Sequence, residues 1–349
     1  MRVYITTALC TLVVLIGLIG YQQKFWQDAS LPFDDEQEGL NDQIVLNFSH
    51  VVAEDTPKGQ AASKFAELLE QKSNGRIRVV IYPNGLLYSD DEEFDALQNG
   101  DIQMIAPTVS KLTNLFPTFQ VLDLPFLFET DEEVERILTG PLGELLLNQL
   151  SRLEMKGLAF WNNGFKQLLS EDELILNRED FKGLKVRAMP SKVLQMQFTL
   201  LEATPITASF DEIYSELENG LIDTQENTVS NLYSKGFYKL HKNLTISNHG
   251  ILSYAVILNE DFYNSLPSDL QDAVVEAMNE ATEWNFNHSK QMNEANLISL
   301  QALEGVHIEN LSLEEKEKWK ILFEPIYTYY RDEVSSNFLK EIQNELLKE

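Results

Sequence analysis

Cations are scarce in this chain, which makes their positions informative. Against 55 acidic residues stand 27 lysines and arginines, for a formal charge of −28. Yet the stretch from Trp161 to Lys192, WNNGFKQLLSEDELILNREDFKGLKVRAMPSK, gathers Lys166, Arg178, Lys182, Lys185, Arg187 and Lys192. A fixed cation in so acidic a protein is a natural place for a small anion. Lys166 and Arg187 sit at the ends of apolar runs, as residues facing a cleft would. Arg178, Lys182, Lys185 and Lys192 read as solvated surface groups.

Other chemistry finds little support. No G-x-G-x-x-G, Walker loop, H-E-x-x-H or G-x-S-x-G occurs, so no nucleotide, zinc-protease or hydrolase reading applies. His50, His241, His249, His288 and His307 are scattered without metal-ligand spacing. Carboxylates are too numerous for one pair to stand out as an acid/base couple. The single cysteine, Cys10, excludes an intramolecular disulfide and lies outside the part that folds. The chain therefore reads as a binder and not an enzyme, with no cofactor. Its charge repels nucleic acid and anionic lipid.

The elements that must position these residues alternate. Ile44 to His50 reads as a strand. Thr56 and Pro57 then open a helix with Ala62, Phe65 and Leu69 on one face. Arg76 to Tyr82 is the next strand, Asp90 to Asn99 a short acidic helix, and Ile102 to Ala106 a third strand. This β-α-β-α-β order predicts an open, largely parallel sheet. After a Phe-rich connection (Phe116 to Phe128) and an amphipathic helix near Glu132 to Leu153, the pattern restarts. Gly157 to Trp161, Leu184 to Ala188 and Leu221 to Gln225 read as strands, with helices over Ser191 to Leu201 and Asp211 to Asn219.

Both runs contain aromatic-x-x-Leu-x-Asn-Gly-x-Ile, at Phe94 to Ile102 and at Tyr214 to Ile222. Alone this is a common helix stop. At the same step of two like runs it predicts two lobes of like topology. The loops Pro107 to Lys111 and Asn227 to Asn231 would then face one interlobe crevice. Ser268 to Glu304 contains no glycine or proline; a continuous helix there would be roughly 55 Å long and would pass along both lobes. Glu283 to Asn296 is too polar for a sustained coiled-coil seam.

Residues Val3 to Gly20 carry no charge, with Arg2 before them and Lys24 and then Asp28, Asp34, Asp35, Glu36 and Glu38 after. That is a membrane anchor or signal, oriented positive end inside. The absence of an A-x-A site before Tyr21 favours an uncleaved anchor. Asp28 to Asp42 reads as an acidic tether. Either way the body of the protein is exported, to the outer face of the cytoplasmic membrane.

FSHVVAEDTPKGQAASKF, ALQNGDIQMIAPTVSK, VLDLPFLF, WNNGFKQL, DFKGLKVRAMPS, QENTVSNLYSKGFYK and LTISNHG together resemble the DctP-type solute-binding proteins of TRAP transporters, within them the C4-dicarboxylate group. The resemblance runs from about Gln43 to the C-terminus. It implies an α/β, two-lobed, periplasmic-binding-protein-like fold with a hinge and a long helix spanning both lobes. The division it suggests is 43–163 plus 255–285 for one lobe, and 164–254 plus 286–349 for the other, with 1–42 as anchor or signal and tether.

The resemblance also implies roles. The family's carboxylate-binding arginine falls on Arg187, whose planar fork matches a carboxylate as lysine cannot. The second cation falls on Lys166, as in the C4-dicarboxylate group. Q-E-N gives Asn227, although Thr228 replaces the usual proline after it. His50, Ser110 and Lys111 are candidate donors from the first lobe, Phe210 an apolar wall, and Tyr254 the weakest of the set. The implied ligand is succinate, fumarate or malate. The implied partners are TRAP membrane subunits or, if the chain stays anchored and acts as a co-sensor, a membrane histidine kinase or separate carrier.

Overall fold

The first strand, β1 (Ile44–Ser49), forms from a run rich in branched and aromatic residues. In the computed structural model, which describes residues 43–348, it pairs in parallel with β2 (Ile77–Tyr82) and β3 (Met104–Ile105). The proposed anchor and tether lie outside the described residues. Helix α1 (Pro57–Lys72) follows β1, with the Thr56 hydroxyl accepting from the Gly59 amide and Pro57 at the first helical position. Helices α2 (Glu93–Gln98) and α3 (Val109–Leu112) flank β3. The third strand is shorter than the sequence predicts, because the Gln103 side chain takes a ladder position by accepting from the Asn47 amide at 3.0 Å.

The single helix expected near Glu132 to Leu153 is broken. Gly140 and Pro141 divide it into α4 (Asp131–Thr139) and α5 (Pro141–Leu147), since Pro141 has no amide hydrogen to continue the ladder. The strand read at Gly157 to Trp161 is the start of the 16-residue β4 (Met155–Ser170). The second run continues as β5 (Lys185–Ala188), α6 (Lys192–Leu200), β6 (Thr204–Thr207), α7 (Ile213–Glu218), β7 (Thr224–Thr228) and α8 (Val229–Ser234). Strand β7 starts later than Leu221, because the Leu221 amide closes a turn onto Glu216 and the Asp223 carboxylate accepts from the Lys185 amide. Asn227 thus lies in the strand and not in the loop beyond it.

Two strands not singled out from sequence complete the frame, β8 (Asn243–Ile246) and β9 (Ile251–Asn259). After them come α9 (Glu260–Ser265), α10 (Ser268–Gln301), β10 (His307–Asn310), α11 (Leu313–Leu322), α12 (Glu324–Tyr329) and α13 (Ser336–Leu346). The sheet order is β2-β1-β3-β9-β4-β7-β5-β6, with β8 on β4 and β10 on β8. The β1, β5 and β8–β10 pairings are parallel, whereas β9 and β4 pair antiparallel to their other neighbours. Strand β4 joins the halves. Met155 to Phe165 pairs with β9, and Lys166 to Ser170 with β7 and β8.

The 34-residue α10 packs against α1, β4 and α8, and so along both halves. Ala273, Ala277 and Ala281 give it a small buried face. Its polar second part has a reason that sequence periodicity does not show. The Trp161 indole donates to the Thr282 hydroxyl at 3.1 Å, and the Asn162 amide to Asn285 Oδ1 at 2.7 Å. Asn293 Nδ2 donates to the Asn163 carbonyl at 2.8 Å, and its Oδ1 accepts from the Ser230 amide at 3.0 Å. These bonds hold β4 where its register shifts, between Asn162 and Gly164. Gly164 sits there at φ +105°, and a Cβ would lie 2.7 Å from Asn293 Nδ2. Gly164→Ala is therefore expected to cost about 2–4 kcal/mol of stability, read by denaturant unfolding; a loss below roughly 0.5 kcal/mol would show that the bulge is not held in this way.

Candidate functional site

Arg187 stands in β5 between β6 and β7. Only 3% of it is exposed. Nε and Nη2 both donate to the Ala208 carbonyl, at 3.1 and 2.9 Å, so one edge of the fork fixes the side chain. Burial pushes its pKa down, against the opposing pull of Asp90 and Glu226. The side chain lines a narrow cavity. Asn227, Lys111, Phe210 and Tyr254 line the same cavity.

Asn227 Oδ1 accepts from the Thr228 amide at 3.0 Å and from Asn231 Nδ2 at 2.9 Å. Tyr254 is buried, and burial raises its hydroxyl pKa, with Asn231 Nδ2 at 3.4 Å. Lys111 reaches the cavity already engaged, its Nζ 3.0 Å from Asp90 Oδ2 and 2.8 Å from Asp91 Oδ1. The Phe210 amide donates to Asp90 Oδ2 at 3.3 Å. Asp90 and Phe210 are separated by 120 positions, the offset of the repeated helix stop, so equivalent loops of the two runs meet at the cavity.

Three expected residues are not among the lining groups. His50 is fully buried at the end of β1, edge-on to Phe48. Burial, helped by the charge on Lys58, takes its pKa down to about 3, so the ring is neutral. Ser110 donates to Asp123 Oδ1 at 2.7 Å within the core. Lys166, expected as the second cation, is paired within the fold. Its Nζ lies 2.8 Å from Glu226 Oε1, and both residues are buried. Glu226 Oε2 lies 2.8 Å from His249 Nε2.

Strand pairing explains the displacement of Lys166. Residues directly opposite in a sheet share a face, and successive residues alternate. Arg187 pairs with Gln225, and Asn227 with Gln167, which puts Arg187 and Asn227 on one face. Lys166 pairs with Thr228, on the opposite face with Glu226.

A second cation does reach the cavity, and sequence reading missed it. Lys58, in the first turn of α1, is 1% exposed, donates from Nζ to the Ala106 carbonyl at 2.9 Å and sits 4.0 Å from the Tyr254 ring centroid. Burial lowers its pKa, while Glu93 and Asp90 pull it back up. One available signal was T-P-K-G. A lysine in a first helical turn opposes the helix dipole, and Gly59 beside it is required because a Cβ there would lie 2.4 Å from the Ala53 carbonyl.

The arrangement carries buried cations from two parts of the fold, amide donors and an apolar wall, with no nucleophile–base pair at hydrogen-bond distance. Such a set of groups suits an anion. Residues 48–333 match the family of bacterial extracellular solute-binding proteins, family 7, and the chain belongs to that family. The C4-dicarboxylate-binding protein DctB of Bacillus subtilis is 46% identical over 89% of each chain. A TRAP periplasmic solute-binding protein of Sulfurospirillum deleyianum, solved with bound succinate, is 36% identical with a TM-score of 0.83, covering 86% of this chain and 98% of its own. Another from Pseudomonas aeruginosa, solved with bound L-malate, is 34% identical with a TM-score of 0.79, covering 82% and 100%. The chain is thus an exported, TRAP-type solute-binding protein of the two-lobed α/β class, and its family consists of binding proteins of transporters and not of enzymes. Among the described residues no helix is long and apolar enough to cross a membrane.

The Lys166–Glu226–His249 cluster has its own consequence. Burial opposes the charge on Glu226, but Lys166 and His249 more than offset it and bring its pKa from 4.5 to about 2. A depressed carboxyl contributes stability that is present above its unfolded pKa and lost as pH falls through the folded one. The chain is expected to lose this contribution between about pH 4.5 and 2. Glu226→Gln should cost about 3–5 kcal/mol at pH 7, by leaving a buried cation unpaired, and should flatten this part of the acid limb. An unfolding profile in which the variant keeps the wild-type acid slope would refute the assignment.

Proposed function

We propose that the chain captures a C4-dicarboxylate (succinate, fumarate or malate) in this cavity and delivers it to a TRAP-type membrane system. One observation carries the reading: two buried cations, Arg187 from β5 and Lys58 from α1, line one cavity. The relatives named above point the same way, being called C4-dicarboxylate-binding or holding succinate or L-malate. Arg187 uses one edge of its guanidinium on Ala208, and in this reading its terminal edge takes the first carboxylate. Lys58 holds the second carboxylate as a point charge, in the role that the family resemblance implies for Lys166.

The two lobes in this reading are 43–163 with 255–285, and 164–254 with 286–349. The change of partner along β4, from β9 to β7 and β8 after Phe165, supports a hinge there. Closing the lobes brings Lys58 over the carboxylate that Arg187 has already bound and expels water. Charge-assisted bonds contribute about 1.5–3 kcal/mol each, enough with the amide donors for micromolar binding.

Thermal unfolding against a panel of organic acids tests this. Stabilisation of about 2.7 kcal/mol is expected at a hundredfold excess of a four-carbon diacid over its dissociation constant. Monocarboxylates should give much less. Arg187→Lys is expected to weaken diacid binding by roughly 100-fold, and Lys58→Met by roughly 10- to 100-fold. Silence across the panel, or unchanged affinity in both variants, would refute the site.

A further inference from the structure

Behind the cavity lies a carboxyl group that does not line it. Glu93 opens α2 and is 1% exposed, and its Oε1 accepts from the buried Ser49 hydroxyl of β1 at 3.0 Å. Lys58 is equally buried, and its charge is the one that acts most strongly on Glu93. The ammonium does not rest on that carboxyl. It sits on the Ala106 carbonyl at 2.9 Å and over the Tyr254 ring at 4.0 Å. A buried acid and a buried base held apart each bear the cost of a charge taken out of water, so one of the two gives its charge up.

Their surroundings decide which. The carbonyl, the face of the Tyr254 ring and the Asp90 carboxylate all favour the ammonium. Lys111 and Lys235, beyond α8, oppose it, but Lys111 is itself paired with Asp90 and Asp91. An ionised Glu93 has one hydroxyl to support it and Asp90 to repel it. His50, on β1, is neutral and adds no charge. Burial, against the pull of Lys58 and Lys111 and with help from Asp90, pushes the Glu93 carboxyl up to about 8. At neutral pH it is therefore the uncharged member of the pair. Its ionisation in alkali would set a negative charge behind Lys58 and weaken the cavity's hold on an anion.

We propose that Glu93 is a positioning residue for anion capture: by holding a proton behind the cavity it leaves Lys58 its full charge, and the site takes up that proton together with a diacid. This rests on the dicarboxylate reading above. The linkage has a definite sign. An anion beside Lys58 opposes a further negative charge behind it, so the occupied site keeps the Glu93 proton to higher pH than the empty one. Near pH 8 the empty site has lost part of that proton, and binding restores it. Well below that pH both states carry the proton, and binding moves none.

Titration calorimetry of the whole chain with fumarate, in buffers of different ionisation heat, counts the protons. Uptake of about half a proton is expected at about pH 8 and of less than about 0.2 at about pH 6.5, with affinity falling about tenfold between about pH 7 and pH 9. In Glu93→Gln the side chain cannot ionise, so that fall should shrink to less than about threefold. A merely structural role for Glu93 would instead lower affinity by one factor at every pH and leave the proton count unchanged. Ser49→Ala removes the donor that supports the ionised carboxyl and should move the fall to higher pH; this variant decides should Glu93→Gln fail to fold. A flat wild-type profile with normal fumarate binding would overturn the inference and leave the dicarboxylate reading standing. So would an alkaline fall preserved in Glu93→Gln, which would assign the proton to a lysine, or one moved to lower pH in Ser49→Ala. If neither fumarate nor succinate bound at any pH, the dicarboxylate reading would fail and this inference with it.

Discussion

Everything at the cavity depends on β4 being one unbroken strand that changes partners. Its first part is bonded to β9 and its last five residues to β7 and β8. A strand alternates its side chains strictly, so whatever sets its register decides which residues of the neighbouring strands share the cavity face. The bulge at Asn162–Gly164 sets it. Asn285 and Asn293 of α10 pin that bulge by its own backbone groups. The long helix thus positions the site without touching it: it fixes β4, β4 aligns β7, and β7 aligns Asn227 with Arg187.

Electrostatics impose the second constraint. A chain of formal charge −28 repels an approaching dianion at long range, although salt screens exposed charges beyond about 8 Å under physiological conditions. Within the cavity the balance reverses. Lys111 is taken by Asp90 and Asp91, and Lys166 by Glu226, whereas Arg187 and Lys58 are held by neutral carbonyls, Ala208 and Ala106. A carbonyl fixes a cation's position without cancelling its charge. A carboxylate does both. By this difference in direct partner the fold separates cations held in ion pairs from Arg187 and Lys58, on which Asp90 and other carboxylates act only at longer range.

The same distinction explains how far the sequence could be read. Alternating elements, the helix stop repeated at an offset of 120 and the glycine-free run from Ser268 were all local patterns, and they yielded the fold class and the long helix. Arg187, Asn227, Lys111, Phe210 and Tyr254 came to line one cavity. Lys166 did not, because its side of the sheet depends on a register shift three residues before it, and hydrophobic pattern cannot locate a shift between two polar asparagines. Lys58 was legible only as an anomaly, a cation in a first helical turn. The buried partner of Lys166, Glu226 in β7, and His249 in the loop after β8 are far from Lys166 along the chain, so local pattern does not pair them.

The contacts that bridge the cavity rim differ in kind from those along β4. At the rim the Phe210 amide meets Asp90 at 3.3 Å, Lys235 Nζ meets Asn84 Oδ1 at 3.4 Å, and the Thr113 hydroxyl meets the Pro190 carbonyl at 3.3 Å. All three are long single polar contacts, and water can replace each as the rim parts. The β4–β9 ladder and the α10 clamps are numerous, buried and short, and nothing replaces them. A molecule built this way yields at the rim before it yields at the hinge. In the proposed reading, closure is then favoured mostly by the anion, through Arg187 on one side and Lys58 on the other. Such a reading meets the condition for reversible capture: an empty site opens cheaply, and an occupied one stays closed in proportion to how well its charges are met.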